Sequence, residues 1–358
     1  MSTPASQPLD QGKLHEFVMR AVGEMGAAMN AALIVIGDKL GLYKAMSGAG
    51  PMTSAELAKK TGTAERYVRE WLASQAAGGF ITYDSASGKY TLPPEQALAL
   101  ADETSPVFLP GFFEVVAACV KDEPKITDAF RSGKGVGWHE HDHGLFAGTE
   151  RFFRPNYRAH LISEWIPALE GTEAKLKAGT KVADVGCGLG TSTILMAQAY
   201  PKSTFVGFDY HDGSIKMARD AANKAGVGDR VKFEVARAKD YPWKGFEFVA
   251  FFDCLHDMGD PEGAAKHVKQ SMTPDGTWMI VEPFAHDKLE DNLNPIGRVY
   301  YAASTMLCTP ASLSQEVGLA LGAQAGEGRL AKILKAAGFS RVRRAAETPF
   351  NIVLEARA

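Results

Sequence analysis

The sequence predicts an α/β fold: an open, mainly parallel sheet wrapped by helices, preceded by a smaller, mainly helical domain. Three observations carry this. Residues 181–209 read as strand, glycine-rich turn, helix and strand. Beyond them, short apolar runs keep alternating with helical patterns to residue 355. Residues 51–102 instead read helix, turn, helix and hairpin.

Composition narrows the class. A chain of 358 residues suggests roughly two or three domains. Its 46% hydrophobic and 23% charged residues are those of an ordinary globular protein. A net charge of −3 argues against a nonspecific grip on nucleic acid, which needs clustered Lys and Arg. Cys119, Cys187, Cys254 and Cys308 are far apart, so neither a disulfide framework nor a zinc site is expected. The amino terminus lacks a basic segment followed by an apolar core. The early apolar run 27–36 carries Asn30 and is too short to span a bilayer. A cytoplasmic protein with no membrane partner is therefore expected.

Residues 1–12 are polar and expected to be disordered. Residues 14–46 are helical by period, with Phe17, Val18, Val22, Met25, Met29, Leu33 and Ile36 at three- and four-residue steps. Gly23, Gly26 and Gly37 would permit close helix–helix approach. Such a helix either forms an oligomer interface or packs on its own domain. Thr53 or Ser54 can cap the next helix, Gly62 stops it, and Thr63 can cap a second over residues 64–77. The hairpin GGFITYDSASGKYTL follows, completing a winged-helix pattern. The charged residues of the second helix, Glu65, Arg66, Arg69 and Glu70, sum to zero, which suits a structural role better than DNA binding.

Residues 105–170 read as a connecting region. The run His139, Glu140, His141, Asp142, His143 would present alternate histidines to one side if it were a strand, as metal ligands require. Pocket lining or solvent exposure is the favoured reading, and no metal is expected. After Asp209 come a helix at 213–225, strands at 231–235, 246–252 and 277–281, a helix at 329–338, and closing strands at 341–345 and 350–355. Together with the first two strands these make seven.

The turn after the first strand is KVADVGCGLG, a G-x-G-x-G spacing. The third glycine of a dinucleotide fingerprint would fall at Thr191. Ligands of such sheets sit outside the carboxyl ends of the strands, where Asp209, Asp253, His256 and Glu282 also fall. A histidine there suits general-base work, because it titrates nearest neutral pH. Asp257, Asp260 or Glu282 could orient its other ring nitrogen.

These features resemble motifs of the class I S-adenosylmethionine (SAM) methyltransferases, whose domain is Rossmann-like with seven strands. The resemblance implies a SAM cofactor, with S-adenosylhomocysteine as product. It implies a cofactor site at Asp184, Gly186, Cys187, Gly188, Gly190 and Ser192, with Asp209 on the ribose hydroxyls beside Tyr210 and His211. The run AKDYPW resembles the family's adenine-binding turn, with contacts from Ala238, Lys239 or Asp240. Asp253 and Cys254 complete the set, and the segment FFRPNYRAHLISEW would close over the cofactor through Phe153 and Tyr157. The sequence CLHDM resembles the L-H-D-W signature of hydroxyl-directed members, implying catalytic His256, Asp257 and Glu282.

The amino-terminal stretch resembles the winged-helix dimerisation domain of small-molecule O-methyltransferases. Actinobacterial class I methyltransferases of this layout are similar over nearly the whole chain, including WHEHDHG, FFDCLHDMGDP and TPFN. The implied division is a winged-helix and dimerisation domain at 1–104, connecting helices and a substrate cap at 105–170, and a SAM domain at 171–358. The implied reaction is methylation of a small, hydroxyl-bearing aromatic acceptor by a homodimer. Tyr300, Tyr301, Met306 and Leu307 could line the acceptor pocket, and Arg298 could pair with an acidic acceptor. N- or C-methylation, a SAM-responsive DNA-binding regulator and an NAD-dependent oxidoreductase are the alternatives.

Overall fold

The computed structural model describes residues 9–357. It divides into two compact units, Met1–Ala117 and Ala118–Ala358. Residues 118–170 of the expected connecting region fall within the second unit.

In the first unit Asp10 caps α1 (Gln11–Lys39), accepting from the backbone N–H groups of Gly12 and Lys13. Of the stretch expected to be disordered, residues 1–8 lie outside the described residues, and the helix begins right after Asp10. α2 (Leu42–Met46), α3 (Ser54–Thr61) and α4 (Glu65–Ala77) follow. Thr53 and Glu56 form a reciprocal capping box on α3. Thr63 does not cap α4; its hydroxyl bonds that of Thr61 instead. β1 (Thr82–Asp84) and β2 (Lys89–Thr91) form the wing, and α5 (Pro94–Leu100) closes the unit. On α4, Arg66 pairs with Glu70 and Arg69 with Glu65, so its basic groups are matched on the helix itself.

Ile34 of α1 packs with Tyr43, Leu57, Val68, Trp71 and Leu72. Asn30, the polar break in the apolar run, is satisfied there: Gln75 donates to it at 2.5 Å and accepts from the Tyr43 hydroxyl at 2.7 Å. By length and composition α1 is apolar enough to cross a membrane. Its carboxyl half is packed into this core, while Phe17, Val18, Val22, Met25 and Met29 stay exposed.

The second unit follows α6 (Pro110–Lys121), which runs across the division, and contains α7 (Glu123–Ser132), α8 (Gly144–His160) and α9 (Thr172–Ala178). Then strands and helices alternate: β3 (Lys181–Val185), α10 (Thr191–Ala199), β4 (Thr204–Asp209), α11 (Asp212–Lys224), β5 (Val231–Val235), β6 (Phe246–Phe252), α12 (Pro261–Ser271) and β7 (Met272–Pro283). An insert with α13 (Pro295–Ala303) and α14 (Thr309–Leu313) precedes α15 (Glu327–Ala336), β8 (Arg341–Glu347) and β9 (Asn351–Arg357).

The seven strands lie in the order β5-β4-β3-β6-β7-β9-β8. The pairs among β5, β4, β3, β6 and β7 are parallel, and β9 runs antiparallel to both its neighbours. Apolar side chains fill both faces: Val182, Phe205 and Phe248 belong to one core, and Val185, Phe208 and Phe251 to the other. Burial on both faces explains the nearly continuous apolar runs of β3, β4 and β6. Strand order reverses beside β3, between β4 and β6, and a crevice opens there at the carboxyl ends.

Of Gly23, Gly26 and Gly37 in α1, only Gly37 sits in a crowded contact. A Cβ there would lie 2.5 Å from the Trp71 ring and 2.9 Å from Tyr43, whereas Gly23 and Gly26 face open space. Gly37→Ala is therefore expected to cost about 1–3 kcal/mol by overpacking. A urea titration should show the lower midpoint. An unchanged midpoint would mean that Trp71 and Tyr43 yield freely.

Candidate active site

The turn after β3 is tied to the end of β4. The Gly186 and Cys187 N–H groups donate to the Phe208 carbonyl at 2.8 and 3.0 Å. Gly188 N–H donates to Asp209 Oδ2 at 3.0 Å, and His211 N–H to Oδ1 at 2.9 Å. Gly186 has φ +75°, and a Cβ on it would meet Cys254 Sγ at 2.7 Å, so the ends of β3 and β6 meet closely only because it is glycine. Burial raises the Asp209 carboxyl above its usual range, against the two N–H groups that favour its charge. His211 caps α11 through Nδ1 and stacks on Phe146.

Asp184 is fully buried beneath the turn. Its Oδ2 accepts from the Ser192 and Thr193 hydroxyls, both at 2.6 Å, and its Oδ1 has no hydrogen-bond partner. Burial pushes its pKa up to about 6. Asp184 thus braces the start of α10 rather than facing the crevice.

α8 forms one wall. Phe146, Thr149, Glu150, Phe153, Arg154 and Tyr157 recur at helical spacing on its crevice face. The Tyr157 hydroxyl donates to Asp253 Oδ2 at 2.8 Å, and Asn351 Nδ2 donates to Oδ1 at 2.7 Å. Asn156, next on α8, donates to Asn351 at 2.8 Å. Asp253 has φ +50°, a left-handed backbone that a non-glycine residue seldom adopts. Burial, and then the charge of Glu282, push its pKa up to about 8.

His256 lies on the short turn Leu255–Asp257 and is only 4% exposed. Its Nδ1 is 2.6 Å from Glu282 Oε2, while Glu282 Oε1 accepts from Leu255 N–H at 2.9 Å. Of the three orienting partners open from sequence, Glu282 takes Nδ1. Asp257 Oδ1 lies 3.0 Å from Nε2 as an ion pair without hydrogen-bond geometry. Asp257 Oδ2 accepts from Trp138 Nε1 at 3.1 Å. Asp260 instead caps α12 through Gly263 N–H. Burial would lower the His256 pKa, but Asp257 and Glu282 outweigh it and raise the pKa well above the ordinary value.

Together these groups border a cavity of about 450 Å³. Of the expected cofactor positions, Gly186, Cys187, Gly188, Ser192, Asp209, Tyr210, His211, Ala238, Lys239, Asp253, Cys254 and Tyr157 line it, as does Phe153. Asp184, Gly190 and Asp240 do not; Asp240 is paired with Arg237 on the surface. Asp257 lines the cavity, whereas His256 and Glu282 lie behind it.

Tyr300 and Leu307 are buried, with the Tyr300 hydroxyl donating to the Phe350 carbonyl, and neither they nor Tyr301 and Met306 reach the cavity wall. Ser314, Gln315 and Glu316 of the same insert do. No strand forms at the histidine run: Trp138–Glu140 is a short turn, His141 is buried on Asp122 at 2.9 Å, and His139 stands at the cavity rim. Among the described residues, the group whose ligand atoms could share a metal is His256, Asp257 and Cys308. Both ring nitrogens of His256 already face carboxylates there.

Sequence reading missed Trp138, Glu150, Arg154, Gln315 and Asn351. The helical spacing in 146–157 could have signalled the α8 face; the others are set by tertiary contacts.

The cavity suits a nucleoside with a cationic tail. Its lining holds six carboxyl groups (Glu150, Asp209, Asp253, Asp257, Asp260 and Glu316), five of them apart from the raised Asp253, against three strong bases (Arg154, Arg237 and Lys239). Gly188 faces open space, leaving backbone accessible to a ligand, and Asp209 sits at the strand end where a ribose would meet it.

Residues 28–102 match the model of an Rv2258c-like winged helix-turn-helix domain, and residues 176–338 that of a methyltransferase domain. The 27-O-demethylrifamycin SV methyltransferase of Amycolatopsis mediterranei (strain S699) is 35% identical over 103 residues, 28% of this chain; the chain spans 38% of that relative's length. Mitomycin 7-O-methyltransferase MmcR superposes with TM-score 0.70 at 18% identity, covering 97% of this chain and 100% of the other. Human N-acetylserotonin methyltransferase, solved with SAM, superposes with TM-score 0.70 at 15% identity, covering 99% of each. At these identities the structural likeness establishes the fold. The chain thus carries a winged helix-turn-helix domain followed by a methyltransferase domain of the class I fold.

The acid form of Asp253 is the one the fold favours. The stability it contributes is complete below the ordinary carboxyl range and is lost as pH rises through about 8. Asp253→Asn keeps a neutral group and is expected to flatten the decline of the thermal midpoint between roughly pH 6 and 8. An unaltered slope would show that Asp253 is already ionised at neutral pH.

Proposed function

We propose that this chain, whose carboxy-terminal unit has the class I SAM-dependent methyltransferase fold, transfers a methyl group from SAM to an oxygen of a small aromatic acceptor. The carrying observation is the His256–Glu282 pair set directly behind Asp257 at the wall of a cavity that also holds the glycine turn and Asp209. The names of two similar proteins, a 27-O-demethylrifamycin SV methyltransferase and a mitomycin 7-O-methyltransferase, support oxygen as the acceptor atom.

Gly186, Gly188, Asp209, Ala238, Lys239 and Tyr157 would hold the cofactor. When bound, SAM supplies a methyl carbon activated by positive sulfur, so the leaving group needs no assistance. The acceptor does, because a phenol is a weak nucleophile until it loses its proton. His256 takes that proton at Nε2. Glu282 holds Nδ1 and so fixes the tautomer. Asp257 borders the cavity in front of Nε2 and yields it to the incoming hydroxyl. Two flanking carboxylates make His256 a stronger base than a free imidazole. Only its neutral form accepts a proton, so the rate rises with pH through a value above the ordinary histidine one.

We also propose a homodimer built on α1, because Phe17, Val18, Val22, Met25 and Met29 form an exposed apolar stripe on a helix whose far end is packed.

Incubating the chain with methyl-labelled SAM and a panel of phenols, polyketides and amines should yield O-methylated products. Methylation confined to nitrogen or carbon would overturn the oxygen assignment. With an acceptor so found, His256→Ala should leave SAM affinity nearly intact and lower turnover by ~10²-fold or more. Unchanged turnover would make His256 structural. Sedimentation equilibrium should give a dimer that Met25→Glu converts to a monomer. A monomeric wild type, or an α1 that binds only lipid vesicles, would contradict the dimer.

A further inference from the structure

The turn carrying His256 and Asp257 is gripped from the side by the end of α14 and the segment after it, over residues 312–320. The grip uses backbone and side chain together. Gln315 Nε2 donates to the Asp257 carbonyl at 3.0 Å, and Gln315 Oε1 accepts from Gly259 N–H at 3.1 Å. One amide thus pairs with the main chain on both sides of Met258, as a neighbouring strand would. Ser312, fully buried, donates to the Met258 carbonyl at 2.9 Å and accepts from Ala320 N–H at 2.9 Å. Leu319 N–H donates to the Gly259 carbonyl at 2.9 Å.

The fit is close as well as hydrogen-bonded. A Cβ on Gly259 would lie 2.6 Å from both Gln315 Cβ and the Glu316 carbonyl oxygen. The gripping segment is itself held in an uncommon shape, with Val317 at φ +75° and Ala320 at φ +50°. Its Glu316 pairs with Lys239 of the turn after β5, at 2.5 Å. One segment therefore ties the catalytic turn to a wall expected to hold the cofactor.

We propose that Gln315 is a positioning residue for the transfer: its amide fixes the backbone of Asp257 and Gly259, and so holds the Asp257 carboxylate at the cavity wall against His256. Gln315 touches neither reacting atom and acts through Asp257. Its catalytic meaning rests on His256 being the base, but its effect on Asp257 does not. Gln315 lies at the mouth of the cavity and is itself exposed. Replacing it therefore leaves the sheet core untouched.

The test reads the position of Asp257 directly and needs no acceptor. In the full chain with ¹³C-labelled histidine, the His256 imidazole is titrated by NMR, its signal identified by its loss in His256→Gln. The charged or titratable groups facing that ring are Asp257 from its own turn, Cys254 just before it, Glu282 from β7, Asp253 after β6, and Cys308 and Tyr300 from the insert. Gln315→Met keeps the side-chain length and removes all three amide hydrogen bonds, the one to the Ala311 carbonyl at 3.0 Å included. It should lower the His256 midpoint by roughly one pH unit, a tenfold loss of proton affinity, with the thermal midpoint nearly unchanged. A His256 midpoint equal to wild type would overturn the proposal.

If Gln315→Met does not fold, Gln315→Ala serves. It removes the amide without adding a charge and should lower the midpoint in the same direction; no shift would again overturn the proposal. A lowered midpoint beside full turnover in His256→Ala would uphold the grip on Asp257 and overturn the base assignment instead.

Discussion

Carboxyl groups, buried or half-buried, crowd the carboxyl end of the sheet, and much of the second unit is arranged around their cost. Asp184, Asp209 and Glu282 lie in β3, β4 and β7, and Asp253 follows β6. Burial raises the pKa of Asp184, Asp209 and Asp253 alike. Each is also answered differently. Asp184 receives two hydroxyls, Asp209 two backbone N–H groups, Asp253 a tyrosine and an asparagine, and Glu282 an imidazole and a backbone N–H. The partners come from α10, the glycine turn, α8, β9 and the turn carrying His256. Satisfying that end is therefore what brings these distant segments together. With Asp253 in its acid form, the cavity lining still holds Glu150, Asp209, Asp257, Asp260 and Glu316 against Arg154, Arg237 and Lys239, which suits a ligand with a positive sulfur and an ammonium group.

α8 and the insert have related tasks. α8 is anchored at its carboxyl end, where Asn156 and Tyr157 reach Asn351 and Asp253, and its amino-terminal part carries cavity-lining Phe146 and Glu150. The insert approaches from the other side through Gln315 and Glu316. Asp257 stands between them, bonded to Trp138 before α8 and gripped through its carbonyl by Gln315. A carboxylate held from two sides keeps a fixed distance to His256, and that distance sets how strongly the imidazole holds a proton.

The sheet was legible because its determinants are local. Glycines at 186, 188 and 190 punctuate the chain, and strands buried on both faces read as apolar runs. The winged-helix pattern was legible for the same reason, through the Thr53–Glu56 capping box and the hairpin. The network behind the cavity was not. The partner of His256 is 26 residues away on another strand, so three acids remained open. Asp184 has the sequence context of a ligand residue, yet it turns under the glycine loop to two hydroxyls. Tyr300 looked like pocket lining because it is aromatic and sits in an insert; its hydroxyl instead meets the Phe350 carbonyl. The alternating histidines suggested a strand, but the chain turns at Trp138–Glu140 and sends His141 into Asp122.

The central claim is that the crevice between the glycine turn and Asp209 is a SAM site. Calorimetric titration of the full chain with SAM, beside Asp209→Ala and beside NAD as competitor class, tests it most directly. One SAM per chain is predicted, with affinity lowered about tenfold or more in Asp209→Ala and no heat from NAD. Equal SAM affinity in Asp209→Ala, absence of SAM binding, or tight NAD binding would contradict it.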